Sequence, residues 1–194
     1  NKVTGGNGGY GYNAATGQED ALEALYQSLN PRGMAIYWKC DHPLFRDARV
    51  RRALTLAIDR RELLGLLNLP SDLPITDGIF TDSQFRRRQF SEPLPYDPVQ
   101  ARALLEAAGW QDRDGDGVRK QAGRPFHFTA IVPGNLRFDR LAVDVQAQLR
   151  KVGVLMEILV LDGEVVKRRL SAGDFEAAFN TGYGPIGRNN FSGY

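Results

Sequence analysis

The sequence predicts an α/β domain, a sheet flanked by helices, on three observations. Residues 126–132 and 154–161 are apolar runs of strand length. Between them, Phe138, Leu141, Ala142, Val145 and Leu149 fall on one helical stripe. Strand, long helix and strand in that order are the pattern of a right-handed crossover between parallel strands. The third observation is size: 194 residues, 42% hydrophobic and 25% charged, suffice for a single core, and no internal repeat divides them.

The elements follow in order. Residues 1–20 read as flexible loop, since Gly5 to Gly11 carry almost no side chain to bury. Ala21, Leu22, Leu25 and Leu29 make a short helical stripe, broken by Asn30-Pro31-Arg32-Gly33. Residues 34–38 read as a strand. Asp47 caps a helix whose stripe is Val50, Ala53, Leu54, Ala57 and Ile58. Asp59, with Glu62 three residues on, has capping-box spacing and restarts the helix through Leu67. Residues 68–96 hold several prolines and no sustained period, which predicts a long surface loop.

Asp97-Pro98-Val99-Gln100 supplies a cap, a proline at the first helical position and a Gln three beyond the cap. That helix runs to about residue 108 and stops at Gly109. An Asp/Gly turn precedes the first crossover strand. The crossover helix spans 138–152 with Gly153 as its stop, and a short helix at 164–170 and a strand at 175–180 complete the series.

Composition excludes several function classes. Net charge is +2, from 25 Lys and Arg against 23 Asp and Glu, so no field recommends a nucleic acid, and Arg86-Arg87-Arg88 reads as a solvated face. Cys40 is the one cysteine, which rules out an internal disulfide and fits either a reduced compartment or an oxidising one in which the lone thiol is buried. No apolar run approaches the length of a membrane span, and residues 1–13 do not have the make-up of a signal peptide. Cys40, Asp41 and His42 are too few and too close in sequence for a zinc or nucleophile site. No glycine-rich phosphate motif precedes a helix, and no cofactor is expected.

Several blocks, in one order, carry a resemblance. They are Pro43-Leu44-Phe45-Arg46-Asp47-Ala48-Arg49-Val50-Arg51-Arg52-Ala53-Leu54 with Ala57-Ile58-Asp59-Arg60; Tyr96-Asp97-Pro98 with Ala101-Arg102-Ala103-Leu104-Leu105 and Ala107-Ala108-Gly109-Trp110; Asp114-Gly115-Asp116-Gly117; Gln146-Ala147-Gln148-Leu149 with Lys151-Val152-Gly153-Val154; and Gly173-Asp174-Phe175-Glu176-Ala177-Ala178. The chain resembles family 5 of the bacterial solute-binding proteins, which includes oligopeptide, dipeptide and nickel binders. The resemblance implies the second lobe of a type II, peptide-binder class, periplasmic-binding-protein-like fold, with residues 1–194 as one ligand-binding lobe. The first lobe of the parent protein has no counterpart here. It implies a binding protein, not an enzyme, that closes over a small peptide or other small solute and delivers it to an ABC permease. Its home would be periplasmic or extracytoplasmic, lipid-anchored in the full-length protein, and in touch with the membrane only through the permease.

Candidate binding residues follow the strands. Asn135 and Arg137 come after the strand at 126–132, at the carboxyl end where α/β proteins bind ligands, and Arg137 offers a fork for a carboxylate. After the last strand, peptide-binding relatives place a Trp and an acidic residue that pairs with the peptide's α-ammonium. This chain reads Phe179-Asn180-Thr181-Gly182-Tyr183-Gly184-Pro185, with no Asp or Glu beyond Glu176. Asn180 and Tyr183 suit neutral hydrogen bonds and stacking instead, as sugars, glycopeptides or capped peptides need; packing against the missing lobe is the other reading. The sharpest local motif is Asp112-Arg113-Asp114-Gly115-Asp116-Gly117. Asp112, Asp114 and Asp116 have the spacing of calcium ligands, but Gly123 stands at the twelfth position, where a full calcium loop has its bidentate Glu. A tight turn with Asp side chains on backbone amides explains the same residues. Two other classes stay open: the sensor lobe of a transcriptional regulator, and a calcium-stabilised structural module.

Overall fold

The computed structural model describes residues 34–68, 75, 93–134 and 138–181. The stripe at Ala21 to Leu29 and most of the expected loop at 68–96 lie outside the described residues. Strand β1 is Met34–Trp38, followed by helices α1, Ala48–Leu56, and α2, Arg60–Leu66. Helix α3 is Pro98–Ala107. Two short strands, β2 at Lys120–Gln121 and β3 at Arg124–Pro125, form a hairpin. Then come β4, His127–Pro133; α4, Phe138–Arg150; β5, Leu155–Leu161; α5, Gly163–Ala172; and β6, Ala177–Thr181.

The main sheet has the order β1-β6-β4-β5, with β4 parallel to both of its neighbours and β1 antiparallel to β6. The expected parallel β4–α4–β5 unit is therefore present. Alternate side chains of β4 serve two cores. Phe128, Ala130 and Val132 join Leu141, Val145 and Leu149 of α4, Val50 and Leu54 of α1, and Leu105 of α3. On the other face Ile131 and Ala178 meet Val166 of α5, with Tyr37, Leu161 and Phe175 around them. Burial pushes the Tyr37 hydroxyl above its ordinary pKa.

Each predicted aspartate cap is in place. Asp47 accepts from the Arg49 amide, Asp59 from Arg61 and Glu62, and Asp97 from Val99 and Gln100. The return half of the capping box is not made by the residues that the spacing named. The Asp59 amide donates to Gln148 Oε1 of α4 at 2.6 Å, and the Gln148 amide in turn donates to Glu62 and Asp144. The Asp97 amide donates to the Leu56 carbonyl at 2.8 Å, so the end of α1 is tied to the start of α3. Buried Gln148 thus docks α2 onto α4 with its polar atoms paired.

The sequence reading missed the hairpin, because two-residue strands show no period. Its turn is Ala122-Gly123, both at positive φ, as a two-residue hairpin requires. Just before it, Arg119 is 6% exposed and anchors three segments. Its Nε donates to the Val152 carbonyl, Nη1 to the Trp110 carbonyl and Nη2 to Glu106 Oε1, at 2.9, 2.9 and 3.0 Å. Gly153 adopts φ +84°, and a Cβ there would lie 2.8 Å from Arg119 Cγ.

Replacing Arg119 with Met keeps the apolar stem and strips the donors from two buried carbonyls. The substitution is expected to cost about 3 kcal/mol, read as a lower urea midpoint at unchanged slope.

Candidate functional site

In open α/β sheets ligands bind outside the carboxyl ends of the strands, at the point where consecutive strands run outward in opposite directions. From β4 the chain enters α4 on one face and adds β5 on one side; from β5 it enters α5 on the other face and adds β6 on the opposite side. The crevice position is thus at the carboxyl ends of β4 and β6.

The seam between those strands is short. Its pairing covers Ala130↔Ala177 and Ile131↔Ala178 only, although β4 continues beside β5 to Pro133 and β6 continues beside β1 to Thr181. Hydrogen-bond direction explains both ends. Phe126 and Gly134 bond to β5, so the alternate residues Thr129, Ile131 and Pro133 face β6. At the amino end, the Thr129 amide donates to the Glu176 side chain, Oε2, at 2.6 Å. At the carboxyl end, the next rung would need an N–H from residue 133, and proline has none. The Glu176 carboxylate also faces His42 Nε2 at 3.3 Å, while His42 Nδ1 accepts from the Leu44 amide at 3.4 Å. With Nδ1 an acceptor, the proton of a neutral His42 sits on Nε2, towards Glu176.

Of the predicted binding residues, Asn180 lies on β6, half-buried, opposite Ala35 of β1 at this carboxyl end. Asn135, Arg137 and Tyr183 lie outside the described residues. Sequence reasoning gave Glu176 no role and ended the strand at residue 132. Pro133 is the signal that was there to be read, since a proline cannot donate to a ladder and marks where pairing on its side ends.

The aspartate loop is closed from within. Oxygens of Asp112, Asp114 and Asp116 lie within 4.8 Å of one another. Asp112 accepts from the Gly115 and Gly117 amides, at 2.9 and 3.0 Å, and Asp116 from the Val118 amide at 2.8 Å. The Lys120 ammonium bonds both Asp114 and Asp116. These hydrogen bonds hold Asp114 and Asp116 below the ordinary carboxyl range and push Lys120 up to about 12.

Cys40, whose burial the sequence left open, is exposed; the chain leaves the sheet at Trp38, and the thiol lies 3.5 Å from the Trp38 carbonyl. The two histidines have separate carboxylate partners: His42 faces Glu176, and His127 faces Glu157 at 3.6 Å. Among the described residues no helix is long and apolar enough to cross a membrane.

The model of "Bacterial extracellular solute-binding proteins, family 5 Middle" matches residues 8–192. The chain belongs to that family. Its sequence is 28% identical over 152 residues to the oligopeptide-binding protein AppA of Bacillus subtilis, covering 73% of this chain and 27% of that protein. It is 30% identical over 145 residues to the periplasmic alpha-galactoside-binding protein of Rhizobium meliloti, covering 71% of this chain and 21% of the relative. The chain therefore spans about a quarter of the length of these family 5 relatives. Among solved structures, AppA from Bacillus subtilis in complex with a nonapeptide superposes with a TM-score of 0.66 at 23% identity, over 84% of this chain and 35% of that one. That similarity confirms the fold expected of a family 5 lobe, a sheet flanked by helices.

The charged loop makes a pH prediction. A carboxyl with a lowered folded pKa adds stability above its unfolded pKa and loses it as pH falls through the folded value. The raised Lys120 adds stability below its unfolded pKa and loses it as pH rises towards 12. The loop's contribution should be flat across neutral pH and decline below about pH 4. In Lys120→Met that acid decline should shrink, measured as melting temperature against pH.

Proposed function

We propose that this chain is the ligand-capturing lobe of an extracytoplasmic solute-binding protein that feeds an ABC importer. The observation that carries the reading is the position of half-buried Asn180 at the carboxyl end of β6, beside the seam where β4 pairing stops. Asn135, Arg137 and Tyr183 belong to segments that follow β4 and β6 directly in sequence, which makes them the next binding candidates. The other lobe comes from the rest of the parent protein, and the two close over the solute by hinge motion. The protein works in the periplasm or at the outer surface, held by a lipid anchor, and the permease takes the solute from it. The lobe contributes binding and no chemistry of its own, as in relatives named for what they bind.

The solute reading favours an uncharged hydrogen-bonding ligand over a free-amine peptide. Asn180 brings an amide where a carboxylate would grip an ammonium, and no Asp or Glu follows Glu176. One matched relative is named for oligopeptides and another for alpha-galactosides, so the family covers both chemistries.

The test uses the full-length protein with trialanine, its N-acetylated and amidated form, and raffinose, by calorimetry. Raffinose or the capped peptide should bind more tightly than free trialanine, and Asn180→Ala should weaken that binding about tenfold. Preference for free trialanine would overturn the uncharged-solute reading. Binding of none of the three would count against solute capture itself.

A further inference from the structure

We propose that Pro133 is a positioning residue: by withholding an N–H from β6 it reserves the Phe179 carbonyl as an acceptor for an N–H or O–H of the solute. The inference rests on the solute-binding reading above and adds a backbone atom to the same site.

The register dictates which atoms are involved. Lys39 donates to the Glu176 carbonyl, so residues 176, 178 and 180 turn their backbone groups to β1, and residues 177, 179 and 181 turn theirs to β4. On β4, Thr129, Ile131 and Pro133 face β6. The two paired positions account for the groups of Ala177 and for the Phe179 amide on the Ile131 carbonyl. The Phe179 carbonyl is next, and its partner in a continuing parallel ladder is the amide of residue 133. With proline there, that acceptor has no strand donor among the described residues.

Two features separate this vacancy from an ordinary strand end. Phe179 and Pro133 are both buried, Phe179 at 3% exposure, so bulk water is a poor substitute donor, and buried carbonyls are rarely left unpaired. The vacancy also falls at the carboxyl end of the interior strand, next to half-buried Asn180 and exposed Gly134. Elsewhere on β4 the same kind of vacancy is filled: at the amino end of the seam the Glu176 side chain accepts from Thr129. A fold that supplies a side chain to complete one end and a proline that prevents completion of the other keeps a single acceptor for something outside the sheet. The group that fits is a hydroxyl or amide donor, not a carboxylate or a metal ion with its own ligands.

The experiment uses full-length protein carrying Pro133→Val, with Pro133→Ala as the second variant should the bulkier side chain prevent folding. Amide exchange at residue 133, melting temperature and affinity for raffinose, trialanine and capped trialanine are measured together. The expected result is a strongly protected amide at 133, a melting temperature close to that of the native protein, and affinity reduced about tenfold, the scale of one hydrogen bond. A merely structural proline would move the melting temperature and leave affinity at constant fold unchanged. An unprotected amide at 133 in both variants, or a protected one with unchanged affinity, overturns the proposal while leaving solute capture standing. If the native protein binds none of the three probes, the solute-binding reading falls and takes this inference with it.

Discussion

Strand β4 has a neighbour on each side, and every backbone group it carries inside the sheet needs a partner. On the β5 side the requirement is met along the whole strand, from His127↔Leu155 to Pro133↔Leu161. On the β6 side strand pairing meets it at two positions, and the remainder is met by other means. Glu176 supplies a carboxylate oxygen to the Thr129 amide, and that carboxylate is itself steadied by His42 from the segment after β1. The Lys39 amide closes the same corner by donating to the Glu176 carbonyl at 3.0 Å. The amino end of the seam is thereby cross-linked through three segments distant in sequence, and the freedom that remains is at the carboxyl end. In the proposed binding lobe, this cross-linked base would keep its geometry while the rim at the carboxyl end meets a solute.

Away from the seam, two buried polar side chains tie the helices to one another and to the segments that follow them. Arg119 draws together the end of α3, the Trp110 segment and the α4–β5 turn, with two of its hydrogen bonds to carbonyls and one to a carboxylate. Its one carboxylate partner, Glu106, is 58% exposed, so the pair escapes most of the desolvation cost of a fully buried ion pair. Gln148 does the corresponding work between α2 and α4. Gly153 is required twice, once for its positive φ and once because Arg119 lies against it.

Much of this frame was legible. The caps at Asp47, Asp59 and Asp97, the stops at Gly109 and Gly153, and the β4–α4–β5 unit were each read from local residues, because each is decided locally: a cap by its own side chain, a stop by its own φ. What escaped was decided by residues far apart in the chain. Nothing near Asp59 indicates that its amide will be taken by Gln148, 89 positions away, and Glu62 offered a nearer and incorrect partner. Nothing near Arg119 in sequence marks it as buried either, because its partners Glu106, Trp110 and Val152 come from separate segments. Of the candidate site, Asn180 was named from the sequence as a candidate and lies at the carboxyl end of β6, whereas the contact of Glu176 with Thr129 and the end of pairing at Pro133 depended on the β4–β6 register, which no single strand encodes.

The residues that made the family recognisable are mostly the residues of the frame. Asp47 caps α1 and holds the Arg49 guanidinium, which in turn donates to the Ala107 carbonyl at 2.7 Å; Arg51 donates to the carbonyls of Phe45 and Arg46. Asp97 caps α3, Gln148 docks α2, Gly153 accommodates Arg119, and Asp174 pairs with Arg169 at the end of α5. None of these contacts reaches the carboxyl rim. A sequence signature built from internal clamps is inherited with the fold and says little about the solute, since the clamps are satisfied whatever the rim binds. On the proposed function, ligand choice would rest on the short stretches that follow β4 and β6 and on the β4–β6 seam that stops at Pro133, where substitution would change specificity without weakening the frame.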